Sequence, residues 1–183
     1  MVKKGKQLCN KRYEEIKCAV VSLYERYDIH CTPVSGFEIA TKMGAKLKPY
    51  STFSTADQDF IRAKFPDGCS WNQDGVNYIA YNDDKKYTRQ NWTITHEVGH
   101  IALGHTQASN IAEAEANFFA KFALAPPVLI HKYGLSTVGE IMERFDIGYT
   151  AAANALESYQ KWYLYSGGYS TIELKICKLF GVA

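Results

Sequence analysis

Between Thr95 and His100 the chain reads Thr-His-Glu-Val-Gly-His, which contains the pattern H-E-x-x-H. On an α-helix, residues four apart project from the same face, so the imidazoles of His96 and His100 can reach one metal ion. Glu97 is rotated by about 100° from His96, which makes it a poor ligand but allows it to contact a metal-bound water from the side. The motif therefore requires a helix that places two histidines on one face.

Zinc is the metal that this motif indicates. It lowers the pKa of a bound water to roughly 7. Glu97 can accept the proton of that water during attack on a carbonyl and then deliver it to the leaving amine. The pattern predicts hydrolysis of a peptide bond, with Glu97 as the catalytic base, although five residues of this kind also arise by chance on polar helix surfaces.

A catalytic zinc needs a third protein ligand and an open position. The next predicted helix, about Ser109 to Leu124, carries Glu113 and Glu115. At 100° per residue, Glu115 falls on the side that carries Ile111, Phe118, Phe119 and Phe122. A carboxylate there is costly unless a cation compensates its charge, so we predict Glu115 as the third ligand and Glu113 as solvated or as a partner of a ligand. The alternative for Glu115 is a structural salt bridge to a lysine or arginine.

Other histidines and tyrosines have weaker claims. His105 directly follows Gly104, and the metzincin register would place a histidine where Thr106 stands, so His105 is predicted as a turn or helix-end residue. Candidates for oxyanion stabilisation are His131, Tyr133 and Tyr169, although a tyrosine in a chain with thirteen of them is usually a packing residue. The segment Asn77–Asn82 is either an ordinary core strand or a strand that pairs with extended substrate.

Hydrophobic periodicity predicts an α+β fold: a mainly helical, zincin-like domain with a small β-sheet before the H-E-x-x-H helix and a helical C-terminal part. Helices are expected over about 10–28, in a short segment after Ser35, over 55–65, from about 91 or 93 to 103, over 109–124, and after Thr137 and Thr150. Residues 170–180 alternate too weakly for an assignment. We expect a single domain over 1–183, with N-terminal helices (1–65), the strand and metal-site helices (69–127) and a helical C-terminal subregion (128–183).

Charge and cysteine content restrict partners and compartment. A net charge of +2 gives no electrostatic support for direct nucleic-acid binding or for an anionic membrane surface. The five cysteines are an odd number, scattered and without a C-x-x-C pair, which favours reduced thiols over a disulfide framework. With no secretory signal or membrane-spanning run, we expect a cytoplasmic location and no membrane partner.

Three elements in order resemble the ImmA/IrrE family of metallo-endopeptidases. The first is Tyr78–Asn82 followed by Arg89–His105, the second is Glu113–Pro126, and the third is Leu135–Leu156. Together they span about half the chain, and the Glu-Ala-Asn segment of the second element is far more specific than H-E-x-x-H alone. Ala125 departs from the pattern, because relatives often have methionine there, and residues 1–65 carry no motif of the family.

The resemblance implies zinc at His96, His100 and Glu115, with Glu97 as the base. It also implies a protein substrate, namely a helix-turn-helix repressor of a phage or mobile element, while other relatives act in stress responses. The alternative is a zinc-binding antirepressor or stress regulator that acts by protein or DNA contact without proteolysis. In that case the helices between Val138 and Tyr163 would form a helix-turn-helix surface instead of completing the core.

Overall fold

A small three-stranded sheet precedes the motif helix in the computed structural model, which describes residues 8–182. Its strands are β1 (Lys46–Pro49), β2 (Gly68–Gln73) and β3 (Val76–Tyr81). The central strand is β3, which runs parallel to β1 on one side and antiparallel to β2 on the other. A tight turn at Asp74 and Gly75, with φ of 52° and 80°, joins β2 to β3, and such turns need positive φ at both central positions. This arrangement leaves β2 at an edge of the sheet.

Helices form most of the remaining described chain, so the predicted mainly helical α+β fold is confirmed. In chain order they are α1 (Asn10–Tyr27), α2 (Gly36–Lys42), α3 (Thr55–Lys64), α4 (Tyr87–Ala102), α5 (Asn110–Leu124), α6 (Pro127–Lys132), α7 (Val138–Phe145), α8 (Tyr149–Tyr165) and α9 (Thr171–Leu179). A short 3₁₀ turn at Tyr50–Thr52 follows β1. Residues 1–7 and 183 of the expected single domain lie outside the described part.

Side-chain caps explain where several helices begin. Ser109 accepts a hydrogen bond from the backbone N–H of Ala112 at the start of α5. Thr137 and Glu140 form the predicted capping box before α7. A second box, Ser170 with Glu173, starts α9 in the segment that periodicity left unassigned. These caps satisfy backbone donors that have no partner within the helix.

Close packing of α4 on α5 sets the position of the motif. Gly99, the residue before the second histidine, faces the buried ring of Phe119, and a Cβ atom added at Gly99 would lie 3.0 Å from Cδ1 of that ring. Gly36 on α2 similarly approaches the Oγ1 atom of Thr95, which an added Cβ would meet at 2.4 Å. Because glycine allows both approaches, α4 is held against α5 on one side and α2 on the other.

One cluster of buried apolar side chains joins the ends of the described chain to its middle. It includes Ile16 of α1, Ile94 of α4, Phe119 of α5, Phe145 of α7 and Ile176 of α9. The C-terminal helices therefore contribute to the same core as the motif helix. Among the described residues, no helix is both long enough and apolar enough to span a membrane.

Candidate metal centre

The side chains of His96, His100 and Glu113 converge between α4 and α5. The two histidine Nε2 atoms lie 3.0 Å apart. Each Nε2 atom lies 3.4 Å from an oxygen of Glu113, His96 from Oε2 and His100 from Oε1. Two nitrogens from successive turns of one helix thus meet a carboxylate from the first turn of the next, with all ligand atoms within 4.8 Å of one another.

This donor set fits a single divalent cation. Tetrahedral zinc with ligand bonds of about 2.0–2.1 Å holds its ligand atoms about 3.3 Å apart, close to the separations above. Burial lowers the pKa of both histidines, that of His100 to about 4, with the neighbouring His96 contributing. Neutral imidazoles keep the lone pairs that bind metals. Two imidazoles and one carboxylate are also a ligand set of catalytic zinc sites.

Glu97 lies in the same cleft and is not one of the three converging groups. Its side chain is buried, and Ser70 of the edge strand β2 donates a hydrogen bond of 2.6 Å from Oγ to Oε2 of Glu97. Burial raises the pKa of Glu97 to about 7, against the opposing effect of the Ser70 hydrogen bond. Glu97 is thus able to take up and release a proton near neutral pH. Nothing in the sequence singled out Ser70, because a lone serine in a strand carries no motif.

Glu115 does not join the histidine pair, and this corrects the expected third ligand. The guanidinium of Arg12 on α1 donates two hydrogen bonds to Glu115, 2.8 Å from Nε to Oε1 and 2.6 Å from Nη2 to Oε2. His105 Nε2 lies 2.9 Å from Oε2 as well. The Arg12 hydrogen bond lowers the pKa of Glu115, so the carboxylate is ionised. The apolar face did require a cation, as argued from the sequence, but Arg12 is that cation and Glu113 takes the place by the histidines.

His105 also has a different surrounding from that of a simple turn residue. It follows Gly104 as expected, and its backbone N–H donates to the carbonyl of His100. Its side chain, however, is only 12% exposed, and its Nδ1 atom lies 2.9 Å from Nδ1 of His100. The ring therefore contacts the far side of His100 and does not enter the converging group.

A cleft of about 490 Å³ surrounds the converging side chains. Its lining combines apolar surface from Phe65 and Trp92 with charged groups from Lys64 and Arg89. The strand β2 borders it through Ser70. The Asn77–Asn82 segment, considered above for substrate pairing, forms β3, whose two edges are already taken by β1 and β2. Of the two alternatives for that segment, the structure therefore supports the ordinary core strand, because a strand paired on both sides has no free backbone groups to offer.

The residues considered for oxyanion stabilisation do not line the cleft. His131 packs in an aromatic cluster on the C-terminal helices, with Tyr169 among its neighbours at 6.0 Å between ring centroids. Tyr133 packs against Phe145 and under the guanidinium of Arg144. All three are thus packing residues of the C-terminal part.

The segment that contains this centre matches a known protein family. The model of the M78 peptidase family, described as the IrrE N-terminal-like domain, matches residues 47–157, more than half of the chain. The match runs from β1 into α8 and includes both histidines, Glu97 and the two carboxylates of α5. It leaves out α1 and with it Arg12. No curated protein matches the chain significantly.

Proposed function

The chain belongs to the M78 family of IrrE N-terminal-like peptidases, and from this premise we propose that it is a zinc-dependent endopeptidase. We further propose that it acts on one specific protein partner, a helix-turn-helix repressor of a phage or mobile element. The observation that carries the activity is the convergence of His96, His100 and Glu113 beside the buried carboxylate of Glu97. The choice of repressor rests on the family resemblance.

A bound zinc ion would be held by His96, His100 and Glu113, and would supply Lewis-acid activation of the scissile carbonyl and of water. Glu97 accepts a proton from the attacking water, so that the oxygen bonds to the carbonyl carbon. The same carboxyl group then gives that proton to the leaving nitrogen as the C–N bond breaks. Ser70 restrains the Glu97 carboxylate by donating a hydrogen bond to its Oε2 atom. The raised pKa of Glu97 suits a group that must serve as base and then as acid.

Substrate binding is supported by the edge position of β2. Within residues 8–182, β2 pairs along its whole length with β3 on one side only, from Gly68 opposite Tyr81 to Gln73 opposite Val76. An extended peptide can add to the other side through backbone hydrogen bonds, with specificity left to alternate side chains. Ser70 lies in this strand, so a peptide paired there runs past Glu97. We propose that the cleaved segment is extended, such as a linker or a locally unfolded stretch of the repressor.

The test is incubation of the purified protein with the repressor encoded next to its gene, followed by mass measurement of the fragments. The expected result is cleavage at one or a few bonds that stops when zinc is removed by a chelator and resumes when zinc is restored. The matched control is Glu97→Gln, which has nearly the same shape and should still bind zinc. If this variant relieves repression as well as the wild type, contact regulation without proteolysis replaces the proposal.

A further inference from the structure

A continuous series of side chains connects α1 to the metal centre. Arg12 contacts Glu115 through two hydrogen bonds of 2.8 and 2.6 Å. Glu115 contacts Nε2 of His105 at 2.9 Å, and Nδ1 of His105 contacts Nδ1 of His100 at 2.9 Å. We call Arg12, Glu115 and His105 the positioning chain. It ends on the ring nitrogen of His100 that faces away from His96 and Glu113.

The donors and acceptors of this series can be assigned from one end. An arginine has donors only, and a carboxylate gripped by it at two points is an acceptor. His105 must therefore donate its Nε2–H to Glu115. In a neutral imidazole the second nitrogen is then an acceptor, so Nδ1 of His105 accepts a hydrogen bond from the Nδ1–H of His100. His100 is left with its proton on Nδ1 and a lone pair on Nε2, the atom beside His96 and Glu113.

We propose that Arg12, Glu115 and His105 are positioning residues that fix the tautomer and ring orientation of His100 for metal binding. This inference rests on the proposed metal site and extends it to α1, which lies outside the segment matched by the family model. A metal-bound histidine usually has its other ring nitrogen hydrogen-bonded, and loss of such a partner weakens metal binding. Here the partner is another histidine, whose Nε2 atom is oriented by Glu115.

The burial of the series favours this role over a simple surface ion pair. The side chains of His105 and Glu115 are only 12% and 9% exposed. Both nitrogens of the His105 ring are engaged, each by one partner. Arg12 also bonds Glu15, which is on the exposed surface of α1 and does not contact the metal centre. That second bond supplies a matched control on the same arginine.

The experiment measures zinc affinity and the His100 tautomer in four full-length variants: His105→Phe, His105→Gln, Glu115→Gln and Glu15→Gln. Zinc affinity is measured by competition with a chromophoric chelator, and the tautomer by long-range ¹H–¹⁵N NMR of the zinc-free protein. We expect His105→Phe and Glu115→Gln to weaken zinc binding by about 10- to 100-fold. His105→Gln retains one acceptor and a donor, so it should recover part of that loss, and Glu15→Gln should match the wild type.

The two readouts separate this inference from the function on which it rests. Wild type that takes up no zinc overturns the proposed metal site, while the NMR result still decides the tautomer assignment. Wild-type zinc affinity in His105→Phe, or a His100 ring protonated at Nε2 in the wild type, overturns the positioning chain. Thermal unfolding of each variant identifies any that fail to fold, and for these the His105→Gln variant decides.

Discussion

Glu113 and Glu115 stand two residues apart on one helix and have opposite surroundings. The side chain of Glu113 is 54% exposed and faces two neutral histidines, whereas that of Glu115 is 9% exposed and is gripped by Arg12. The more exposed carboxylate is the one available to a metal. A site that must admit water and substrate is open to solvent, while a buried carboxylate needs a permanent cation from the protein itself.

The largest difference between the two carboxylates should appear in zinc affinity when each is neutralised in turn. Glu113→Gln should lower zinc affinity by more than the roughly 10–100-fold expected when a partner of a ligand is lost, because it removes a ligand. Peptidase activity should fall to background. Competition with a chelator gives the affinities. If Glu115→Gln loses zinc and Glu113→Gln does not, the assignment of the two residues is reversed.

Neutralising Glu97, the third carboxylate near the centre, should affect turnover and leave zinc binding unchanged. Glu97→Gln should reduce kcat by about 10²- to 10⁴-fold, the usual contribution of a positioned acid or base, and keep zinc affinity near that of the wild type. Metal content and turnover measured on the same preparation check this. Unchanged turnover with zinc bound would remove Glu97 from the chemistry.

Folding stability should depend more on the ion pair of Glu115 than on Glu113, which is the reverse of the order expected for zinc affinity. Arg12→Met leaves the Glu115 charge without its cation, which should lower the free energy of unfolding by about 1–3 kcal/mol. Glu113→Gln should change it by less than about 0.5 kcal/mol in the zinc-free protein. Urea unfolding of both variants measures the difference.

The contribution of Arg12 to the free energy of unfolding should also depend on pH. The pKa of Glu115 is lower in the folded protein than in the unfolded chain, so this stabilisation is fully present above the unfolded value of about 4.3. It is lost as the pH falls further, through the folded pKa. The wild type and Arg12→Met should therefore converge in stability in acid. A gap that stays constant below pH 4 would contradict the ionised pair.

Ser70→Ala should have the smallest effect. Loss of one hydrogen bond to Glu97 should lower kcat by about fivefold, in line with a contribution near 1 kcal/mol. Because that hydrogen bond favours the carboxylate, its loss should raise the pKa of Glu97 further and move the acidic limb of the pH–rate profile to higher pH. The pH–rate profiles of the wild type and Ser70→Ala measure this shift. A shift of the acidic limb to lower pH would contradict the role of the Ser70 hydrogen bond.

The sequence predicted the features that depend on local spacing. The H-E-x-x-H pattern, the long helix ending before Pro126 and the capping box at Thr137 are all encoded within a few residues, and the structure contains a helix at each place. Local spacing also identified the cost of burying Glu115. It could not identify the compensating group, because Arg12 lies 103 residues away in the chain.

The missed elements share the same dependence on distant contacts. The strand β1 has four residues and pairs in parallel with β3, about thirty residues later, so its own sequence has too few positions to show alternation. Helix α4 begins at Tyr87, before the predicted start, and Phe37 of the distant helix α2 stacks on that tyrosine. Ser70 gains its role only when β2 is placed beside α4.

The contact between Gly99 and Phe119 fixes the spacing of α4 and α5 through the protein core alone. If the chain binds zinc as proposed, we expect it to reach its native state before any metal arrives, unlike small domains that stay unfolded until zinc binds. Occupancy then follows the free zinc concentration as an ordinary equilibrium. In zinc-poor conditions the zinc-free protein would remain folded and able to bind zinc again, instead of being degraded as unfolded chain.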